Sequence, residues 1–108
     1  MQKLAHAGHF HRPEHDDRNH YEEHLRTGSL SVGTYSIPPD GIDDQAPHHE
    51  DEIYVVRSGL ANLITPAGKV PVGAGDVLFV PAEEEHRFVD VTEDLTVMVI
   101  SVPPHTGP

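Results

Sequence analysis

The chain has 108 residues, enough for one small domain, and carries 18 acidic against 7 basic side chains, a net charge of −11 with histidine neutral. That balance argues against nucleic acid and anionic lipid as partners, because both need clustered Lys and Arg. The absence of cysteine excludes a disulfide framework, a thiol nucleophile and Cys-based metal sites, and no apolar run approaches the roughly 18 residues of a membrane span.

Residues 1–19 are polar and lack apolar period, so they read as flexible. Six of the ten histidines (His6, His9, His11, His15, His20 and His24) lie in this region or just after it. There is no apolar h-region of a secretory signal, and the expected location is cytoplasmic. Residues 20–27, HYEEHLRT, suit one or two helical turns, with His20 and His24 on one face. The expected organisation is a flexible His-rich arm over 1–29 and a single folded domain over 30–108.

From Leu30 onward the chain reads as short strands between turn signals. LSVGTYSI (30–37) stops at Pro38-Pro39-Asp-Gly, and EIYVVRSG (52–59) stops at Ser58-Gly59. LANLIT (60–65), KVPV (69–72), DVLFVP (76–81), HRFVDV (86–91) and LTVMVISV (95–102) follow. Seven or eight strands at intervals of about 8–12 residues, with no long helix, mean an all-β antiparallel sandwich or barrel. Core candidates are Val55, Leu63, Val77, Phe79, Phe88, Val97 and Val99.

Metal-competent side chains concentrate in Gln45-Ala-Pro-His48-His49-Glu50-Asp51-Glu52, which runs into a strand. Strand residues two and four apart share a face. His48, Glu52, Tyr54 and Val56 therefore point one way, and His49, Ile53 and Val55 the other. His86 opens a later strand, and a barrel brings distant strands to one interior. Two imidazoles and a carboxylate suit a divalent transition metal with positions left open. Arg57 and Arg87 have the parity opposite to Glu52 and His86, so both are expected on the surface.

At these residues the sequence resembles the cupin family, over about residues 30–102. The first cupin motif reads Gly41-IDDQAPHHEDEIYVVRS-Gly59 and the second Gly75-DVLFV-Pro81-AEEE-His86-RFV-Asp90. The resemblance implies a double-stranded β-helix, or jelly-roll barrel, with a small molecule in the barrel and a homodimeric assembly. It also implies tight turns at Gly41, Gly59 and Gly75, and Leu30–Ile37 is the candidate edge or exchanged strand. The first motif histidine falls at Ala46, Glu83 replaces a motif Gly, and Asp90 replaces a motif Asn. The implied metal set is His48, Glu52 and His86, one nitrogen short, with Gln45 as substitute and His49 disfavoured by parity. The metal is Fe, Mn, Ni, Cu or Zn. The expected function is a metal-dependent, dioxygenase-type oxidoreductase acting on a small enolic or phenolic compound, with Glu52 as base and Tyr54 beside it. The alternatives are a non-catalytic ligand-binding barrel and a metal-free isomerase or epimerase that uses His86 and Tyr54.

Overall fold

A computed structural model describes residues 1–106. Six strands form one coiled antiparallel sheet: β1 (His20–Arg26), β2 (Ser31–Ile37), β3 (Asp51–Thr65), β4 (Gly68–Gly73), β5 (Val77–Val80) and β6 (Arg87–Val102). Their order is β1-β2-β6-β3-β4, with β5 also paired to β3, and the described residues contain no helix. The fold is the all-β antiparallel barrel that the strand and turn pattern implies.

The turn signal at Ser58-Gly59 bends a strand instead of ending it. β3 and β6 run together from Asp51↔Val102 to Ile64↔Arg87, with register shifts between Val56 and Asn62. Gly59 sits in that irregular stretch at φ 93°, and a Cβ there would collide with the backbone of Asp94 and Leu95. Past this bend β3 changes partners. Its first half pairs with β5 and its second half with β4. Glu83 and Asp90, which stand where the cupin motif has Gly and Asn, both have positive φ, 70° and 54°. Both positions therefore hold a left-handed conformation, which Asp tolerates and Glu does not favour.

Strand parity settles the core. Glu52, Tyr54 and Val56 are buried, and the β5 partners of Glu52 and Tyr54 are Val80 and Leu78. Val77 and Phe79 pair with Val55 and Ile53 and so face outward, at 65% and 64% exposure. The expectation that Val77 and Phe79 are core is thus corrected, and Val55 is only half-buried. The run VLFV is apolar at every position and carries no parity of its own. Leu63, Phe88, Val97 and Val99 are core as expected, together with Tyr35, Ile37, Leu95 and Val56.

The helical expectation for residues 20–27 is also corrected. His20–Arg26 is a strand, paired with β2 through a bulge between Glu23 and Leu25. A helix of two turns barely holds itself, whereas the edge of β2 offers a full row of backbone partners. Because β1 takes that edge, Ser31–Ile37 is an interior strand between β1 and β6, and the expectation of an edge strand at Leu30–Ile37 is corrected. Residues ahead of β1 cross the outer face of β2. Gly8 N donates to Thr34 Oγ1 (2.9 Å) and His11 N to Ser36 Oγ (3.0 Å).

Candidate functional site

The interior side of β3 carries Glu52 and Tyr54, each 1% exposed. His48, on the loop before β3, and His86, just ahead of β6, are both buried beside them. The loop is tied down where Glu83 N donates to the His48 carbonyl at 2.7 Å. His48 Nε2 lies 3.6 Å from Glu52 Oε1, and His86 Nε2 lies 3.9 Å from the same oxygen. Tyr54 OH bridges the second pair, 2.9 Å from Glu52 Oε1 and 2.7 Å from His86 Nε2. His86 Nδ1–H donates to the Glu84 carbonyl at 2.9 Å, which turns Nε2 toward the interior.

Gln45 also reaches the site, where its Oε1 accepts from His48 Nε2 at 2.7 Å. Its position is set by Asp43, which accepts from Gln45 N and Nε2. His49 points away and pairs with Glu83 on the surface. Arg57 and Arg87 are exposed, as parity implies.

Two further residues, given no role from the sequence, converge on the same place. The tail beyond β6 returns so that His105 Nδ1 lies 3.6 Å from Glu50 Oε1 and 3.7 Å from Glu52 Oε2. Glu50 is 2% exposed. It lies two residues before Glu52, so parity could have drawn attention to it. His105 had only its residue type as a signal.

The electrostatics centre on Glu52. Burial alone would raise its pKa. The nearness of His105, the charge of His48 and hydrogen bonds from Tyr54 and Ser101 overcome that effect and hold it below the usual carboxylate range. Burial holds His48 below the ordinary imidazole value against the pull of Glu52. His105 moves the other way, raised by the adjacent Glu52 carboxylate against its own burial. Burial, then the Glu52 charge, pushes the Tyr54 phenol far up.

The donor chemistry suits a metal ion, and the close-spaced group is His48, Glu50, Glu52 and His105, without His86. One donor atom each from His48, Glu50, Glu52 and His105 lies within 4.8 Å of the others. Two donors on one ion at about 2.1 Å each are at most about 4.2 Å apart, which the 3.6–3.9 Å separations around Glu52 satisfy. His105 Nδ1 is buried and has no hydrogen-bond partner. Beside these groups is a cavity of about 1060 Å³, with Tyr21, Tyr35, Ala46 and Val99 in its wall. A second space of about 500 Å³ lies near His86 and shares Gln45 and Pro47 with the first.

The cupin domain signature matches residues 33–103, well over half of the chain. The chain belongs to the cupin family. An uncharacterized protein of Streptomyces coelicolor is 38% identical over 86 residues, which cover 80% of this cupin and 82% of that protein. Among solved structures, the polyketide cyclase RemF of Streptomyces resistomycificus is similar with a TM-score of 0.74 at 17% identity, covering 99% of this chain and 83% of that one. A predicted oxalate decarboxylase of Thermotoga maritima gives 0.63 at 22% identity, covering 78% and 79%. At those identities the structural likeness establishes the cupin fold alone. No helix of the described residues is long and apolar enough to cross a membrane.

Proposed function

We propose that this cupin holds one divalent transition metal (Fe, Mn, Ni, Cu or Zn) through His48, Glu52 and His86, with Gln45 Oε1 as a further donor. It then acts as a dioxygenase-type oxidoreductase on a small enolic or phenolic compound. The observation that carries this reading is the convergence of two imidazole Nε2 atoms on one buried carboxylate oxygen, beside a cavity large enough for a small organic molecule. Any of these metals, when bound, would supply Lewis acidity toward an enolate or phenolate oxygen, and all but Zn would add redox capacity. Glu52, kept ionised by its neighbours, accepts the substrate hydroxyl proton. Tyr54 keeps its own proton and holds Glu52 and His86 in place. Structural neighbours named as a polyketide cyclase and a predicted oxalate decarboxylase are in keeping with an oxygen-rich organic substrate.

The test is oxygen consumption on a panel of flavonols, catechols and β-diketones, with the protein reconstituted in turn with each metal. Turnover with one metal supports the assignment, and no turnover with any of them refutes it. Two specific features favour other readings. Ala46 in place of a motif histidine favours a non-catalytic ligand-binding barrel, in which a ligand raises the melting temperature without being consumed. The 2.7 Å Tyr54–His86 pair suits a metal-free isomerase or epimerase, which would keep its activity in His48→Ala with chelator present.

The assembly we propose is a homodimer. Ile53, Val77, Phe79 and Val102 form an exposed apolar patch on the outer face of β3, β5 and β6, the kind of surface a second copy covers. Light scattering should give twice the chain mass, and Phe79→Glu should halve it. A monomeric parent protein would remove the proposal.

A further inference from the structure

We propose that His105, on the tail beyond β6, is a metal ligand that supplies the imidazole missing at Ala46. The inference rests on the metal-binding reading above and deepens it. The chain lacks the first histidine of its motif, yet a third imidazole stands at the same carboxylate. Glu52 has His48 and His86 on its Oε1 side and His105 on its Oε2 side. His105 is also the imidazole that falls into the tight donor group with His48, Glu50 and Glu52. Its ring centroid is 4.8 Å from that of His48, closer than the 5.3 Å between His48 and His86.

Two observations separate this placement from chance packing of a chain end. The first is that His105 Nδ1 is buried and makes no hydrogen bond, only loose ion pairs at 3.6 and 3.7 Å with the two carboxylates it faces. A nitrogen in that position without a hydrogen bond is costly unless something else engages it. An ion between Nδ1, Glu52 and His48 would do so. The second is that the tail is fastened on both sides of the ring. His105 N donates to Ser31 Oγ (2.8 Å), and Arg26 Nη2 donates to the His105 carbonyl (2.6 Å). Thr106 N and Oγ1 donate to the two oxygens of Glu50 at 3.1 and 2.7 Å. Glu50 thereby holds the tail, and each of its oxygens keeps a lone pair free. Ser31 and Arg26 belong to the two strands, β2 and β1, that wall this side of the barrel, so the fold itself presents the imidazole to the interior.

The test uses the full chain with Cu(II) or Zn(II) alone, the free metal held in the sub-micromolar range by a chelator buffer. The second donor group, His11–His20–Glu22, is removed by His11→Ala and His20→Ala in every protein tested. Dissociation constants are measured for the parent protein, His105→Ala, His105→Gln and His48→Ala, and the folded state of each is checked by circular dichroism. Imidazole nitrogens coordinated to Cu(II) are counted by pulsed electron paramagnetic resonance. The expected result is an affinity loss of about 100-fold or more in both His105 variants, comparable with His48→Ala, since even outer-shell partners cost about 10–100-fold. The loss should come with one coordinated imidazole fewer. Unchanged affinity, or lower affinity with an unchanged imidazole count, overturns the assignment of His105 while leaving the metal reading in place. A parent protein that binds neither metal overturns both.

Discussion

Asp43 is the best place to test how this site is held in shape. Its side chain is buried at 2% exposure and accepts four hydrogen bonds. Tyr35 OH (3.0 Å) and Gln45 N (3.2 Å) donate to Oδ1, and Gln45 Nε2 (3.1 Å) and Phe88 N (2.8 Å) donate to Oδ2. One carboxylate thus joins β2, the loop that carries Gln45 and His48, and the start of β6. Asp43→Ala leaves two fully buried donors, the Tyr35 hydroxyl and the Phe88 amide, without partners. At about 2 kcal/mol for each orphan, less some relief from no longer burying a carboxylate, the expected loss is about 3 kcal/mol. Asp43→Asn should do little better, because the amide turns a donor toward donors on one side. Tyr35→Phe removes a single donor and should cost about 1 kcal/mol. Urea denaturation measures all three, and the Ala variant should melt about 10–20 °C below the parent. An Asn variant within about 0.5 kcal/mol of the parent would refute the argument, because it would mean that the four donors do not require an acceptor-only group.

Alkaline pH offers a second test. Burial pushes the Tyr21 phenol up to about 12, and burial with the Asp43 charge pushes Tyr35 higher still. Unfolded phenols release protons near pH 10 while the folded ones retain them, so stability falls as pH rises above about 10, by about 1.4 kcal/mol per pH unit for Tyr35 alone. Absorbance at 295 nm should therefore rise only together with loss of circular dichroism, and a phenolate signal at pH 10 in intact protein would contradict the burial. A third test compares two glycines at nearly the same φ. Gly59→Ala meets the Asp94 and Leu95 backbone and should cost about 3 kcal/mol or more, whereas Gly75→Ala meets nothing within 4 Å and should cost only the conformational term, about 1–2 kcal/mol. Equal costs in thermal melts would show that the collision at Gly59 is relieved elsewhere.

What the sequence made legible followed from period and punctuation. Alternation put Glu52 and Tyr54 inside and His49, Arg57 and Arg87 outside, because one inward side chain fixes the face of its neighbours. Alternation is silent in VLFV, where every residue is apolar, and so carries no sign that Val77 and Phe79 face outward. Gly59 looked like a stop because a glycine at positive φ serves a hairpin and a bulge equally well. The β1 segment, with few apolar residues, gave no strand signal because its partner is a backbone edge and not a core.

The site was legible where it lies in the motifs and not where it depends on closure. His48, Glu52 and His86 stand at the spacings of the two cupin motifs, so they can be picked out from one sequence. His105 sits 57 positions from His48, and nothing local to either residue ties them together. Their meeting requires β6 to run the full length of β3 and the tail then to fold back against Ser31, Arg26 and Glu50. A barrel that coordinates an ion needs nitrogens at certain places in its interior and is indifferent to which strand delivers them. The alanine at position 46 removes an imidazole from the motif, but only the closed barrel decides whether it removes one from the site.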